Sequence, residues 1–121
     1  MSELRTGLDL CEIRRMERMT EHPRFLKRCL TESERAWLAE RGKQKAASLA
    51  GLWAAKEALL KALGTGLELP MREVEILHGA NGEPFYQLHG EAARRAGEAM
   101  LSLSITHDGG IAAAVCVLLR I

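Results

Sequence analysis

Polar and apolar residues alternate loosely from Leu4 to Ile13, which predicts a strand. Asp9 is set inside its apolar group of Leu8, Leu10, Cys11 and Ile13, an unusual place for an acid. Arg14 to Thr20 then takes a helical spacing. Thr31-Glu32-Ser33-Glu34 has the spacing of a capping box, the threonine bonding a first-turn N–H and the glutamate reaching back, so a helix begins there and ends near Gly42. A longer helix opens by about Ala46 and stops at Leu63, where Gly64 and Gly66 supply the left-handed conformations that terminate helices. Beyond it the period shortens to two. Glu73 to Leu77 and Pro84 to Leu88 flank Gly79-Ala80-Asn81-Gly82 as a hairpin, Glu91 to Met100 reads as a short helix, and Leu101–His107 and Ile111–Arg120 form a second hairpin across Asp108-Gly109-Gly110. The class is α+β.

The longer helix has no obvious solvent face. At about 100° per residue, Leu49, Leu52, Trp53, Leu59, Leu60 and Leu63 fall on one bulky arc, while Gly51, Ala54, Ala55, Ala58 and Ala62 line the other side. Glu57 and Lys61 sit at the edge between the arcs, and Lys56 falls within the bulky one. Charge held there is costly unless it is paired or ligated, so a site is expected on this helix.

Composition narrows what such a site can serve. The 121 residues fit one domain, and no linker, repeat or low-complexity segment divides 1–121. Seventeen Lys plus Arg against sixteen Asp plus Glu give no global reason to invoke nucleic acid or an anionic membrane. Cys11, Cys29 and Cys116 are odd in number and lack metal-type spacing, so they read as reduced, buried hydrophobes of a cytoplasmic protein. The longest apolar run, Ile111 to Leu119, is too short to cross a bilayer as a helix. One local imbalance stands out: Arg14, Arg15, Arg18, Arg24, Lys27 and Arg28 face only Glu17 and Glu21. Such a patch suits an acidic surface, although many charge runs are simply solvated, and no aromatic platform interleaves with it for nucleic acid.

Five ordered segments together resemble the short holo-acyl-carrier-protein synthases, which are 4'-phosphopantetheinyl transferases. They are Gly7-Leu8-Asp9-Leu10-Cys11-Glu12-Ile13, Phe25 through Glu34, Leu49-Ala50-Gly51-Leu52-Trp53-Ala54-Ala55-Lys56-Glu57-Ala58 through Gly66, Asn81-Gly82-Glu83-Pro84, and Ser104-Ile105-Thr106-His107. The resemblance implies a small antiparallel sheet packed around a long central helix. It also implies transfer of 4'-phosphopantetheine from coenzyme A to a serine of an apo acyl carrier protein, with release of adenosine 3',5'-bisphosphate.

By the same resemblance Asp9 and Glu57 hold Mg²⁺, a cation that takes oxygen ligands while keeping several waters. Lys61, one turn beyond Glu57, is placed toward a phosphate. Gly64, Gly66, His107 and Lys56 are expected on the coenzyme A side, with Lys56 alternatively pairing with a nearby acid. Glu57 is the leading choice for the base that removes the serine proton. Arg14, Arg15, Arg18, Arg24 and Arg28 are expected to meet the acidic carrier protein. Short members of the family are homotrimers with active sites between subunits, which implies the same assembly here.

Taken without the resemblance, Asp9 reads equally as a strand-end acid capping a backbone group, and Glu57 with Lys61 as an ordinary i,i+4 pair. Two positions depart from the family pattern: Leu52 stands where relatives commonly carry arginine, and Arg5 where many carry glycine. The competing functional readings are a non-catalytic relative that binds carrier protein or coenzyme A without turnover, and a plain trimeric scaffold.

Overall fold

The two ends of the chain meet in one sheet. In the computed structural model, which describes residues 2–64, 66 and 68–121, strand β1 (Glu3–Glu12) pairs antiparallel with β5 (Ile111–Arg120). β5 pairs in turn with β4 (Met100–Asp108) through the Gly109-Gly110 turn, giving the order β1-β5-β4. β2 (Val74–His78) and β3 (Pro84–Leu88) form a separate two-stranded hairpin. The hairpin strands and both sheet edges follow the alternation in the sequence.

The long helix α4 (Lys45–Leu63) crosses the inner face of the three-stranded sheet. It can lie that close because of glycine on both elements. A Cβ on Gly7 of β1 would stand 1.8 Å from the Ala58 carbonyl oxygen, and one on Gly51 would stand 3.0 Å from Ile105 of β4. The N-terminal half of α4 therefore covers β4 and its C-terminal half covers β1. Leu49, Leu52, Leu59 and Leu60 on one arc, and Ala50, Ala54, Ala55, Ala58 and Ala62 on the other, are at most 1% exposed, so both arcs are core. Gly64 ends the helix with φ +82°, a conformation few side chains tolerate. Thr65 of the expected Gly-Thr-Gly stop lies outside the described residues.

The strand alternation also corrects the surroundings of Asp9. Gly7, Asp9 and Cys11 face α4, whereas Leu4, Leu8 and Leu10 point to the outer face and are 69%, 61% and 63% exposed. The acid is thus not ringed by its apolar sequence neighbours; they occupy the other side of the sheet.

Helix α1 (Ile13–Met16) is one turn, shorter than the helical spacing to Thr20 suggests, and a 3₁₀ turn at Met19–Glu21 follows. Helix α2 (Pro23–Cys29) was not legible in the periodicity; it opens on Pro23 in its first turn, with His22 Nδ1 accepting from the Phe25 N–H at 3.0 Å. α3 (Glu32–Ala39) carries the capping box on Thr31 and Glu34, but stops before Gly42, where a 3₁₀ turn begins. α5 (Gly90–Ala96) ends at Gly97, and Met100 already pairs with Leu119 as strand, so the helix does not reach Met100.

A polar network clamps these elements. Glu34 is 1% exposed; it accepts from the Ile76 N–H at 2.8 Å and pairs with Lys56 at 2.9 Å. Glu75 accepts from the Thr31 hydroxyl and pairs with His89 Nε2 at 2.8 Å. Burial by itself raises the Glu75 carboxyl, but the bonds from Thr31 and His89 and the charges of His89 and Lys56 outweigh it and leave the pKa below its usual 4.5. A depressed carboxyl contributes stability above the unfolded pKa and loses it as pH falls through the folded value. Urea midpoints are therefore expected to drop more between pH 6 and pH 3 in the parent than in Glu75→Gln. Equal drops would show that this contact carries no pH-linked stability.

Candidate active site

β1 and α4 bring two carboxylates and an ammonium to one spot. Lys61 Nζ lies 2.9 Å from Asp9 Oδ1 and donates to the Leu8 carbonyl oxygen at 2.9 Å. The Asp9 side chain is 13% exposed and that of Lys61 52%, so the group opens to solvent on the lysine side. Glu57, one turn before Lys61, is half-buried. Burial, and then the negative charge of Asp9, raise its carboxyl above the usual range, while Lys61 and Arg15 pull it back. The spacing of a helical pair and one inward strand position is enough to assemble all three groups. Among the described residues no group of three or more His, Cys, Asp or Glu is placed to hold a metal ion, and the carboxylates at this spot are Asp9 and Glu57. That set fits a hard, water-retaining cation and not the closed nitrogen and sulfur shell of structural zinc.

The basic segment borders this spot. Arg15 is near enough for its charge to act on both Glu57 and Cys11. Arg14, Arg15 and Arg18 line an open groove of about 720 Å³ with Glu12, Glu17 and Met19. Arg24 and Arg28 are exposed on α2, next along the chain.

Lys56 does not belong to the site, which corrects its expected contact with coenzyme A. Its side chain is 0% exposed, and its ammonium bonds Glu34 at 2.9 Å, the Met71 carbonyl oxygen at 3.0 Å and the Val74 carbonyl oxygen at 2.6 Å. All three hydrogens are engaged, so none is left for a ligand. The alternative of pairing with a nearby acid is the one observed, with an acid 22 residues away in sequence.

His107 stands apart from the acids within one chain. It is on β4, the opposite edge of the sheet from β1, in the same row as Ala112 and Cys11, two strand spacings or roughly 10 Å across. It lines a cleft of about 180 Å³ with Gly51, Leu52, Ile105, Trp37 and His78. Trp37 and His78 carry no motif in the sequence; only their meeting in this cleft marks them. Gly64 and Gly66 lie just beyond Lys61, both with positive φ, and Arg5 donates from Nε to the Ala62 carbonyl oxygen at 2.6 Å beside them.

Fold and site together define an α+β protein with an acid pair and a lysine at a strand–helix junction. The chain belongs to the 4'-phosphopantetheinyl transferase superfamily, whose family model matches residues 5–116. A relative from Herpetosiphon aurantiacus named holo-[acyl-carrier-protein] synthase is 41% identical over 125 residues, covering 93% of this chain and 95% of the relative. Among solved structures, the ACPS–CoA complex from Chronobacterium ammoniagenes superposes with a TM-score of 0.83 at 30% identity, covering 96% of both chains. The holo-[acyl-carrier-protein] synthase from Helicobacter pylori in complex with coenzyme A superposes with a TM-score of 0.79 at 33% identity, covering 93% of this chain and 98% of that one.

Proposed function

We propose that this chain is a holo-[acyl-carrier-protein] synthase, moving 4'-phosphopantetheine from coenzyme A to a serine of an apo acyl carrier protein. The observation that carries this reading is the Asp9, Glu57 and Lys61 cluster, present on a chain of the matching family. A non-catalytic relative or a scaffold has no use for two carboxylates held together against their mutual repulsion. In the reaction the serine oxygen attacks the phosphorus that bears pantetheine, the P–O bond to the other phosphate breaks, and adenosine 3',5'-bisphosphate leaves. We assign Glu57 as the group that takes the serine proton. Lys61 sets a positive charge against the phosphate oxygens as the bond breaks. Asp9 and Glu57 would hold Mg²⁺, which when bound offsets the charge on the pyrophosphate oxygens. Incubation with coenzyme A, Mg²⁺ and apo carrier protein, followed by intact mass, tests the reading: the carrier gains one phosphopantetheine, and an unchanged mass overturns it.

The working form is a homotrimer in which each coenzyme A site takes residues from two chains. Two observations support this. His107 and the acid pair sit at opposite edges of one chain's sheet. The outer face of that sheet is apolar and uncovered, with Leu4, Leu8, Leu10 and Met100 at least 59% exposed around Val115, Val117 and Leu119. Sedimentation is expected to give three times the chain mass; a stable, active monomer would remove the idea.

The acceptor is an acidic carrier protein that docks on Arg14, Arg15, Arg18, Arg24 and Arg28. Arg15→Glu is expected to raise the KM for carrier protein by about tenfold or more, with the KM for coenzyme A nearly unchanged and the parent's rate falling with salt. Equal losses for both substrates would show that the variant disturbs the fold or that the patch does not dock. The work is done in the cytoplasm, a location supported by three buried cysteines without a disulfide. Among the described residues no helix is long and apolar enough to cross a membrane.

A further inference from the structure

The last turn of α4 is tied to β1 by side chains from both elements. A helix leaves its final carbonyls without donors from its own backbone. At this end the Gly64 N–H serves Leu60 and Lys61, at 2.9 and 3.1 Å. The carbonyl oxygen of Ala62, next along, accepts from Arg5 Nε at 2.6 Å, across 57 positions of sequence. The guanidinium also lies against the turn that follows, since a Cβ on Gly64 would stand 3.3 Å from its Nη2. Its positive charge complements the partial negative charge of a helix C-terminus. The other partner of Arg5, Glu3 at 3.6 Å, is 45% exposed and shared with Arg120, so Ala62 is the firmer anchor.

Arg5, Gly7 and Asp9 are alternate residues of β1, on the face that meets α4. Arg5 bonds Ala62, Gly7 packs on Ala58 and Ala62, and Asp9 pairs with Lys61. The glycine contact allows close approach, but it makes no directional bond and so does not fix the helix along the strand. Two long side chains do that. Lys61 reaches from helix to strand, to Leu8 and Asp9, and Arg5 reaches from strand to helix. The Lys61 ammonium opens to solvent and is also the group assigned to phosphate, so its hold on β1 is shared with a ligand. Arg5 has no such second task, and its bond keeps the last turn in place.

We propose that Arg5 is a positioning residue for the transfer, holding the end of α4 on β1 so that the Lys61 ammonium stands beside Asp9 and meets the phosphate of coenzyme A. This rests on the synthase reading above. The test is a double-mutant cycle of Arg5→Ala and Lys61→Ala, read as the KM for each substrate, with Arg120→Ala as the control. Arg120 is the matched case: it lies opposite Glu3 on β5 and donates to the Ala96 and Arg95 carbonyl oxygens at the end of α5, away from Lys61. Arg5→Ala is expected to raise the KM for coenzyme A by about fivefold or more and to leave that for carrier protein within about twofold. Added to Lys61→Ala, the same change is expected to cost less than about twofold, because no ammonium remains to be positioned. Arg120→Ala keeps the parental KM for coenzyme A. The Arg5 side chain is 43% exposed, so the variant is expected to fold, which its melting curve checks. Arg5→Met, which keeps the length of the side chain without a donor, is expected to match it. The proposal is overturned if Arg5→Ala and Arg5→Met keep the parental KM for coenzyme A, if their effect is as large without Lys61 as with it, if both substrates suffer alike, or if Arg120→Ala does the same. A parent that transfers nothing defeats the synthase reading, and the proposal with it.

Discussion

A chain carrying Asp9→Asn together with Glu57→Gln is expected to fold normally and to lose phosphopantetheine transfer by about three orders of magnitude or more in kcat/KM. Folding survives because the native state holds the Glu57 carboxylate at a cost: burial and the neighbouring Asp9 charge both disfavour its ionised form. Removing both charges relieves that cost while leaving the side-chain volumes alone. Lys61 loses its partner at Asp9 but keeps the Leu8 carbonyl oxygen and solvent. Catalysis does not survive, because no amide replaces the charge asked to meet a divalent cation, and none takes a proton from serine. The single variants separate the two roles. Asp9→Asn is expected to recover part of its rate as Mg²⁺ is raised, whereas Glu57→Gln is expected to stay slow at saturating metal through loss of the proposed base. Lys61→Ala raises the KM for coenzyme A and keeps the metal requirement. Melting curves beside transfer assays check all of this, and a double variant working at the parental rate with the same Mg²⁺ requirement would sink the site.

Lys56→Ala is the substitution expected to damage the fold most, by on the order of 3–5 kcal/mol, with a fall in Tm of roughly 10–20 °C. The loss has three parts: a cavity in the core, two carbonyl oxygens at Met71 and Val74 without their donor, and a Glu34 carboxylate left buried without a countercharge. Glu34 cannot turn away, since it also accepts from the Thr31 and Ile76 N–H groups. Lys56→Met with Glu34→Gln removes both charges and refills most of the volume, so it should recover a large share of the stability. Thermal or urea unfolding of the two variants beside the parent reads the difference. Parental melting of Lys56→Ala with weakened coenzyme A binding would return Lys56 to the ligand site.

How much of this was legible beforehand follows the range of each interaction. The capping box on Thr31 and Glu34 reads directly because its partners are three residues apart, and Gly64 reads as a helix end because φ is a local property. The α2 helix did not read: its seven residues are too few for a period to emerge, and its start is set by a histidine cap on Pro23's turn. The inward position of Lys56 on α4 also read, but its partner did not.

By itself the sequence determined the α+β class, the strands at both ends, the long helix with no solvent face, and Asp9, Glu57 and Lys61 as the charged residues worth watching. These depend on periods of two and 3.6 and on neighbours within one turn. The tertiary structure decided which charges are sealed in the core and which open to solvent. Lys56 and Lys61 differ by five positions and look alike in a list, yet one is sealed against Glu34 and the other opens beside Asp9. It also decided that Leu4, Leu8 and Leu10 face outward, that His107 sits across the sheet from the acids, and that Arg5 meets the end of α4. Each of these outcomes joins residues remote in sequence or chooses between two faces of a strand. Local periodicity leaves both open; only the approach of α4 to the sheet, permitted by Gly7 and Gly51, resolves them.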